Sequence, residues 1–259
     1  MRTLKFTIQY DGTAYVGWQR QASGTSIQGL LETALGRIEG APVSVQGAGR
    51  TDAGVHALAQ VASARVVTAL DTATLARALN ATLPPDVRVV SVEEAAPGFH
   101  ARFGAAGKAY DYRICNGPIV SPFLYRYAWH IPQALDIAAM REASEALVGA
   151  HDFAAFQGSG SAVKSTEREI TAIEWRDEAG LLVMRIEGSG FLRHMVRNIA
   201  GTLVEVGLGR SSRATVREIL ASRDRTHAGP TAPPQGLFLV GVRYGPFDTP
   251  PLRAGIIDV

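Results

Sequence analysis

The residues best suited to chemistry lie in one stretch, Gly47-Ala-Gly-Arg-Thr-Asp-Ala-Gly-Val-His56. It holds three glycines, one guanidinium and one carboxylate, Asp52. Glycines let the backbone fold tightly and approach a ligand closely, and functional side chains concentrate on loops held by a rigid scaffold. Asp52 could therefore serve as an ionised nucleophile or a charge stabiliser. The plain alternative is an Asx turn in a long connection, and spacing alone leaves both open.

Other chemical classes find little support in the sequence. No histidine pairs with another histidine or a cysteine at zinc-ligand spacing, so we expect no metal. The stretch from Gly47 starts like a dinucleotide fingerprint but breaks at its sixth position. The segment Gly158–Ser165 suggests a phosphate loop, yet Val163 replaces the required glycine, which favours a mobile polar surface loop. We expect no nucleotide, redox or other cofactor.

The elements around Asp52 follow from hydrophobic periodicity. Residues 4–10 alternate with period two, which predicts a half-buried strand. Ser26 and Gly40 bound an amphipathic helix, and strands are predicted near 43–46 and 57–66, on either side of the Asp52 loop. A helix at 72–80 and a strand at 87–94 complete a β-α-β-β-α-β order. We expect Trp18 and Phe103 to lie in the core.

The second half looks like a looser copy of the first. It has predicted strands at 107–115, 168–176, 181–187 and 236–244, and helices at 136–148, 190–206 and 215–221. We therefore predict an α+β fold, with two ferredoxin-like halves whose antiparallel sheets join around a central catalytic cleft. The expected domains are an N-terminal α+β domain, 1–105, with the Asp loop, and a C-terminal one, 106–259.

Composition excludes several classes of protein. The chain has 259 residues, 46% hydrophobic and 19% charged, which is ordinary for a globular protein. Its single cysteine, Cys115, allows no intrachain disulfide, so we expect a reducing cytoplasm. No apolar run reaches the length of a membrane span. A net charge of +2 and a pI of about 8.8 permit a nucleic-acid partner without requiring one.

Four ordered segments resemble motifs of the tRNA pseudouridine synthase A family, from about residue 4 to 244. The segments are Tyr10–Gln21 (YDGTAYVGWQRQ), Gly49–His56 (GRTDAGVH), Phe99–Ile114 with KAYDYRI, and Gly190–Asn198 (GFLRHMVRN). The resemblance implies conversion of uridine to pseudouridine in transfer RNA, without a cofactor. It further implies a homodimer, each RNA held across both subunits, and action on the 3′ side of the anticodon stem-loop.

The resemblance also assigns roles to residues. Asp52 would be the nucleophile, Tyr110 would lie against the target uracil, and Arg197 would pair with Asp52. Arg50 would help extrude the target nucleotide and fill the gap in the stack. Asp111 departs from the basic residue expected between the two tyrosines, which puts local phosphate contacts in doubt. Further RNA contacts are expected from Arg20, Lys108, Arg126, Arg193 and, as the weakest candidate, Lys164.

The sequence alone leaves competing interpretations open. Tyr110 could simply pack within a sheet, and Arg197 could be a surface residue of its helix. A non-catalytic RNA-binding protein on the same scaffold is the main alternative, but the intact set of Asp52, Tyr110 and Arg197 argues against it. A metabolite-binding ferredoxin-like module explains none of the four motifs.

Overall fold

The structure is a computed structural model that describes residues 1–160 and 163–245. Ten strands and five α-helices lie in this part of the chain, and the α+β class is confirmed. In chain order they are β1 (Arg2–Tyr10), α1 (Ile27–Glu39), β2 (Val45–Gly47), β3 (His56–Val66), α2 (Thr72–Thr82), β4 (Val87–Ala95), β5 (Gly107–Asn116), β6 (Trp129–Ile131), α3 (Ile137–Glu145), β7 (Gly149–Asp152), β8 (Glu167–Glu178), β9 (Leu181–Gly188), α4 (Met195–Gly207), α5 (Arg213–Ser222) and β10 (Leu237–Arg243).

The chain divides into two compact units. The first combines Met1–Ala106 with the described residues from Phe238 onward, and the second is Gly107–Leu237. The last strand therefore groups with the N-terminal part of the chain. The predicted domains, 1–105 and 106–259, and the joining of two halves around a cleft, stay predictions.

The first unit follows the predicted β-α-β-β-α-β order. Its strands run β4-β1-β3, with β2 on the far side of β3, and each of these pairs is antiparallel, which is the split β-α-β arrangement. In β10, Phe238 pairs in parallel register with His56 of β3. The inward residues Leu4, Phe6 and Ile8 of β1 are almost completely buried.

The helix α1 matches its prediction closely. The Ser26 hydroxyl accepts a hydrogen bond from the Gly29 amide at 3.2 Å, as an N-cap residue does. Gly40 ends the helix with a left-handed backbone, at φ 69°. Buried Leu31 and Leu35 form its core-facing stripe.

The second unit contains an antiparallel sheet in the order β5-β9-β8-β7, with β6 parallel to β5. Helix α4 is buried along most of its length. Its predicted start near residue 190 is wrong. His194 has a left-handed backbone, at φ 59°, and the Arg193 carbonyl accepts from the Gly158 amide at 2.7 Å, so the helix begins only at Met195.

One of the two core predictions fails. Trp18 is 2% exposed, as expected, but Phe103 is 78% exposed, so its assignment to the core is wrong. The predicted loop Gly158–Ser165 includes positions 161–162, which lie outside the described residues. Among the described helices, none has both the length and the apolar character needed to cross a membrane.

Candidate active site

Asp52 lies on the loop that joins β2 to β3, residues 48–55, called the Asp52 loop below. The Ala48 amide donates to the Val61 carbonyl at 2.7 Å, and the Val55 amide donates back to the Asp52 carbonyl at 3.2 Å. Gly54 completes that turn with a positive φ of 77°, which glycine adopts without strain. Asp52 is partly exposed while its neighbour Thr51 is buried, so the residue keeps a surface open to solvent on an anchored loop.

A buried polar network lies behind the Asp52 loop. The hydroxyl groups of Tyr10 and Thr51 are 2.8 Å apart. The Gln60 side-chain amide donates to the Gly49 carbonyl at 2.9 Å and to the Tyr10 hydroxyl at 3.4 Å. Burial raises the pKa of Tyr10 to about 12, so its phenol keeps its proton at neutral pH. This Tyr10–Thr51–Gln60 network ties β1 and β3 to residues on both sides of Arg50.

Two glycines of the first motif, Tyr10–Gln21, allow that segment to pack directly against the backbone of the Asp52 loop. A Cβ added to Gly17 would lie 2.5 Å from the Thr51 carbonyl oxygen, and one added to Gly12 would lie 2.0 Å from that of Val55. Real carbon atoms do not approach oxygen so closely. The Trp18 amide also donates to the Thr51 carbonyl at 3.0 Å. The first two motifs of the sequence are therefore one packed structural unit.

His56 closes the Asp52 loop from the β3 side. Its ring is buried and stacks on Phe238 with the centroids 4.6 Å apart. Its Nδ1 lies 3.1 Å from both the Gly12 amide and an Asp11 carboxylate oxygen. These contacts need different forms of the ring, because a neutral Nδ1 accepts from Gly12 whereas a protonated one donates to Asp11. In either form His56 ties the N-terminal motif to the loop.

Arg50 is exposed two residues before Asp52. Its Nε donates to the Gln19 side-chain oxygen at 3.1 Å, and the Gln19 amide donates to Gln28 of α1 at 2.7 Å. Arg20 is exposed on the same segment, and its guanidinium lies 3.4 Å from the Glu32 carboxylate. Arg50 of the Asp52 loop and Arg20 of the segment bonded to it are therefore exposed on neighbouring stretches of chain.

In the second unit, Tyr110 lies on β5 opposite Ile186 of β9. It is 7% exposed, and its ring meets that of Phe191 edge to face with centroids 5.2 Å apart. Tyr112 is fully buried and donates to the Pro233 carbonyl at 2.8 Å. Tyr112 therefore belongs to the core of this unit, while the role of Tyr110 stays a prediction.

Arg197 lies in the first turn of α4 and is partly exposed. Its Nε donates to the Ala232 carbonyl at 2.7 Å, and the Ala232 amide donates to the Arg197 carbonyl at 3.1 Å. Burial raises the pKa of Tyr112, an effect that the nearby Arg197 charge opposes. Phe191 precedes the helix, which begins at Met195.

The departure from the family pattern, Asp111, has an internal role. Its side chain is fully buried on β5. Arg185 donates to both carboxylate oxygens, at 2.8 and 3.0 Å, and Arg176 donates to one of them at 2.6 Å. Removing one member of a buried charge pair typically costs about 3–5 kcal/mol. Asp111 therefore holds β5, β8 and β9 together and does not face a ligand.

The remaining predicted RNA contacts fall in the second unit. Arg193 is exposed and donates to the Ser159 carbonyl at 2.9 Å. Lys164 is exposed, and Lys108 is partly exposed on β5. Arg126 lies over the Tyr125 ring, 5.4 Å from its centroid. Within the described residues, no cluster of three or more His, Cys, Asp or Glu side chains could hold a metal ion.

The chain matches a family model described as tRNA pseudouridine synthase over residues 7–104 and 143–245. These ranges include the Asp52 loop and the whole of α4. The chain belongs to this family. Membership in the tRNA pseudouridine synthase family makes the protein an enzyme, an isomerase, and confirms the resemblance carried by the four motifs.

Curated relatives can be aligned with this chain over almost their whole length. The tRNA pseudouridine synthase A of Geobacter sulfurreducens is 47% identical over 94% of this chain and 100% of its own. That of Myxococcus xanthus is 48% identical over 98% of this chain and 95% of its own, and that of Thermoanaerobacter sp. is 43% identical over 94% and 100%. The family identity therefore applies to both units of the chain.

Proposed function

We propose that the protein isomerises uridine to pseudouridine in the anticodon stem-loop of transfer RNA, with Asp52 as the nucleophile. In this reaction the bond from the ribose to the uracil nitrogen breaks, and a bond from the ribose to a ring carbon forms. The carbon loses its proton and the nitrogen gains one, so the product is an isomer. The observation that carries the proposal is the partly exposed Asp52 on a loop anchored by buried contacts.

The other site residues take the roles that the motifs imply. Tyr110 lies against the target uracil, Arg197 pairs with the Asp52 carboxylate, and Arg50 occupies the space left by the extruded base. Unstacking a base costs a few kcal/mol, and the exposed position of Arg50 supports its use in this step. The proposal includes a homodimer, which sedimentation of the purified protein would test.

Replacing the catalytic carboxylate tests the nucleophile. We expect Asp52→Asn to abolish pseudouridine formation in an unmodified transfer RNA transcript while RNA binding persists, because the amide is a far weaker nucleophile. Sequencing-based mapping of pseudouridine and filter binding are the two measurements. Asp177→Asn, the same change at an exposed position on β8, is the matched control and should act like wild type.

Two results would overturn parts of this proposal. Near wild-type turnover by Asp52→Asn would remove Asp52 from the chemistry. Pseudouridine formed by the wild-type protein only outside the anticodon stem-loop would leave the reaction in place but refute the proposed site on the RNA.

A further inference from the structure

The turn His100–Gly104 presents an aromatic side chain to solvent. Phe103 is 78% exposed. The His100 ring lies against it with the centroids 4.3 Å apart, and the Arg102 guanidinium lies 5.8 Å from the centre of the Phe103 ring. These three residues are called the Phe103 platform. It combines an accessible aromatic ring with a cation on the same short turn.

The exposure of Phe103 does not come from a loosely held turn. Ala101 is completely buried. Its amide donates to the Ser63 hydroxyl at 3.1 Å, and its carbonyl accepts from the Tyr244 hydroxyl at 2.7 Å. The Gly104 amide donates to the His100 carbonyl at 3.0 Å. The backbone is thus fixed on both sides of the exposed ring.

A single exposed apolar side chain is common on protein surfaces and needs no explanation by itself. Phe103 differs because its neighbours are polar groups suited to an anion. Arg102 is exposed, and the His100 Nδ1 accepts from the Arg102 amide at 3.1 Å. A neutral His100 ring therefore carries its proton on Nε2, where it can donate. An aromatic face with adjacent cationic and donor groups is the arrangement that stacks unpaired bases and binds their phosphates.

The platform lies close to the Asp52 loop in the same unit. Ala101 packs with Ala48 and Val61 in one buried cluster, and Ala48 is the first residue of the loop. Asp52 is four residues after Ala48 in the chain, which is at most about 14 Å of extended backbone. A nucleotide near the target uridine could therefore reach Phe103.

We propose that the Phe103 platform stacks an unpaired base of the RNA substrate close to the uridine that is presented to Asp52, while Arg102 contacts the phosphate of that nucleotide. The proposal deepens the proposed function and depends on it for the nature of the substrate. It assigns Phe103 to substrate positioning, with no part in bond making or breaking.

Substitution of Phe103 tests the platform with unmodified transfer RNA transcript as the probe. We expect Phe103→Ala to weaken binding about 5- to 150-fold, the range measured for loss of one base–aromatic stack, and Phe103→Trp to restore it. The control is Phe123→Ala, which removes another phenylalanine that is 72% exposed and should bind as wild type does. Because Phe103 is exposed, its variants should keep the wild-type melting temperature.

A spectroscopic signature separates stacking from a structural role. Stacking on a base quenches indole emission, so Phe103→Trp should lose more fluorescence on adding RNA than the wild-type protein, whose tryptophans are Trp18, Trp129 and Trp175. Equal quenching in the two proteins, or unchanged binding by Phe103→Ala, would refute the platform. Neither result affects the proposed function, which fails separately if the wild-type protein forms no pseudouridine.

Discussion

At the scale of single residues, Gln60 shows how an uncharged side chain can control the position of a charged one. It lies within β3 with no exposed surface, and its amide reaches both Gly49 and Tyr10. Tyr10 in turn contacts Thr51, next to Asp52. The placement of the carboxylate therefore depends on a residue outside the motif that carries it.

We expect Gln60→Leu to lower the free energy of unfolding by about 1–3 kcal/mol, because the substitution leaves the partly buried Gly49 carbonyl without its donor. It should also lower kcat more than it raises KM, since the loop loses a fixed position while RNA contacts stay. Urea unfolding and steady-state kinetics measure the two effects. Gln46→Leu, on the exposed position of β2, is the control, and equal effects at both positions would contradict the network.

Gln60 lies outside the four motifs, and although Tyr10 opens the first of them, its sequence gives no sign of the contacts it makes. Pairing of β1 with β3 brings Tyr10 and Gln60 together, and Thr51 reaches Tyr10 from the loop before β3. Composition singles out the glycine-framed loop that holds Asp52 and Arg50, but the roles expected of these two residues come from the family resemblance and stay predictions. Phe103 was misassigned because its aromatic type favours a core position, whereas the turn at Ala101 directs it outward.

At the scale of elements, the loop between β1 and α1 packs directly against the Asp52 loop because a glycine, Gly17, lies at the point of contact. Gly17 has a φ of 101° and faces the Thr51 and Asp52 backbones. A side chain there would meet fixed backbone atoms instead of a flexible group. The two loops therefore cannot separate without disturbing each other.

We expect Gly17→Ala to destabilise the protein by more than about 1 kcal/mol, from left-handed strain and the clash combined, and to reduce activity sharply. Thermal unfolding and pseudouridine formation are the measurements. Gly117→Ala is the control, since a Cβ at Gly117 would meet nothing within 4 Å. Wild-type stability in Gly17→Ala would show that the loops are not packed as described.

Asp152, at the end of β7, lies beside Arg223 at the end of α5 and should make the free energy of unfolding depend on pH in acid. The hydrogen bond from the Thr166 hydroxyl at 2.5 Å, the Ala154 amide and the Arg223 charge lower the pKa of Asp152. A carboxyl group whose pKa is lower in the folded state stabilises that state at pH values above its pKa in the unfolded chain. This stabilisation is lost as the pH falls through the folded-state pKa. Wild type should therefore lose more stability than Asp152→Asn between pH 5 and about 3. The free energies of unfolding of the two proteins are measured with urea across this pH range. Equal losses in wild type and Asp152→Asn would rule out this contribution.

The long elements could be predicted because they carry their own signals. Helix α1 has a serine cap, an apolar stripe and a terminal glycine. Strands β6 and β7 were missed because they contain three and four residues, and so short a strand exists only through its pairing partner. The start of α4 was placed too early because residues 190–194 have helix-like composition, while the Arg193 carbonyl is bonded to Gly158.

At the scale of the whole molecule, affinity for RNA depends on where charge lies more than on its total. The net charge is only +2, from 26 basic and 24 acidic residues. Arg20 is exposed on the segment that Arg50 of the Asp52 loop reaches through Gln19, whereas Arg185 and Arg176 donate to buried Asp111. We therefore expect phosphate contacts from Arg20 and Arg50 and none from Arg176 or Arg185.

We expect log affinity for transfer RNA to fall linearly with log salt concentration, because phosphate contacts release counterions. Arg20→Gln should make the slope shallower by about one. Arg37→Gln removes the same charge from the last turn of α1 and should leave the slope unchanged. Filter binding at several salt concentrations measures both, and a slope that Arg20→Gln does not alter would remove this residue from the RNA contacts.

The parallel pairing of β10 with β3 has a consequence for synthesis on the ribosome. Residues 56 and 57 have no partner from β10 until residues 238 and 239 have been made, about 10–40 s later at about 5–20 residues per second. The part of the protein translated first is thus completed last, and until then His56 lacks the ring of Phe238 beneath it. A nascent chain arrested before residue 237 should be cleaved by protease near His56, at a place where the released protein resists.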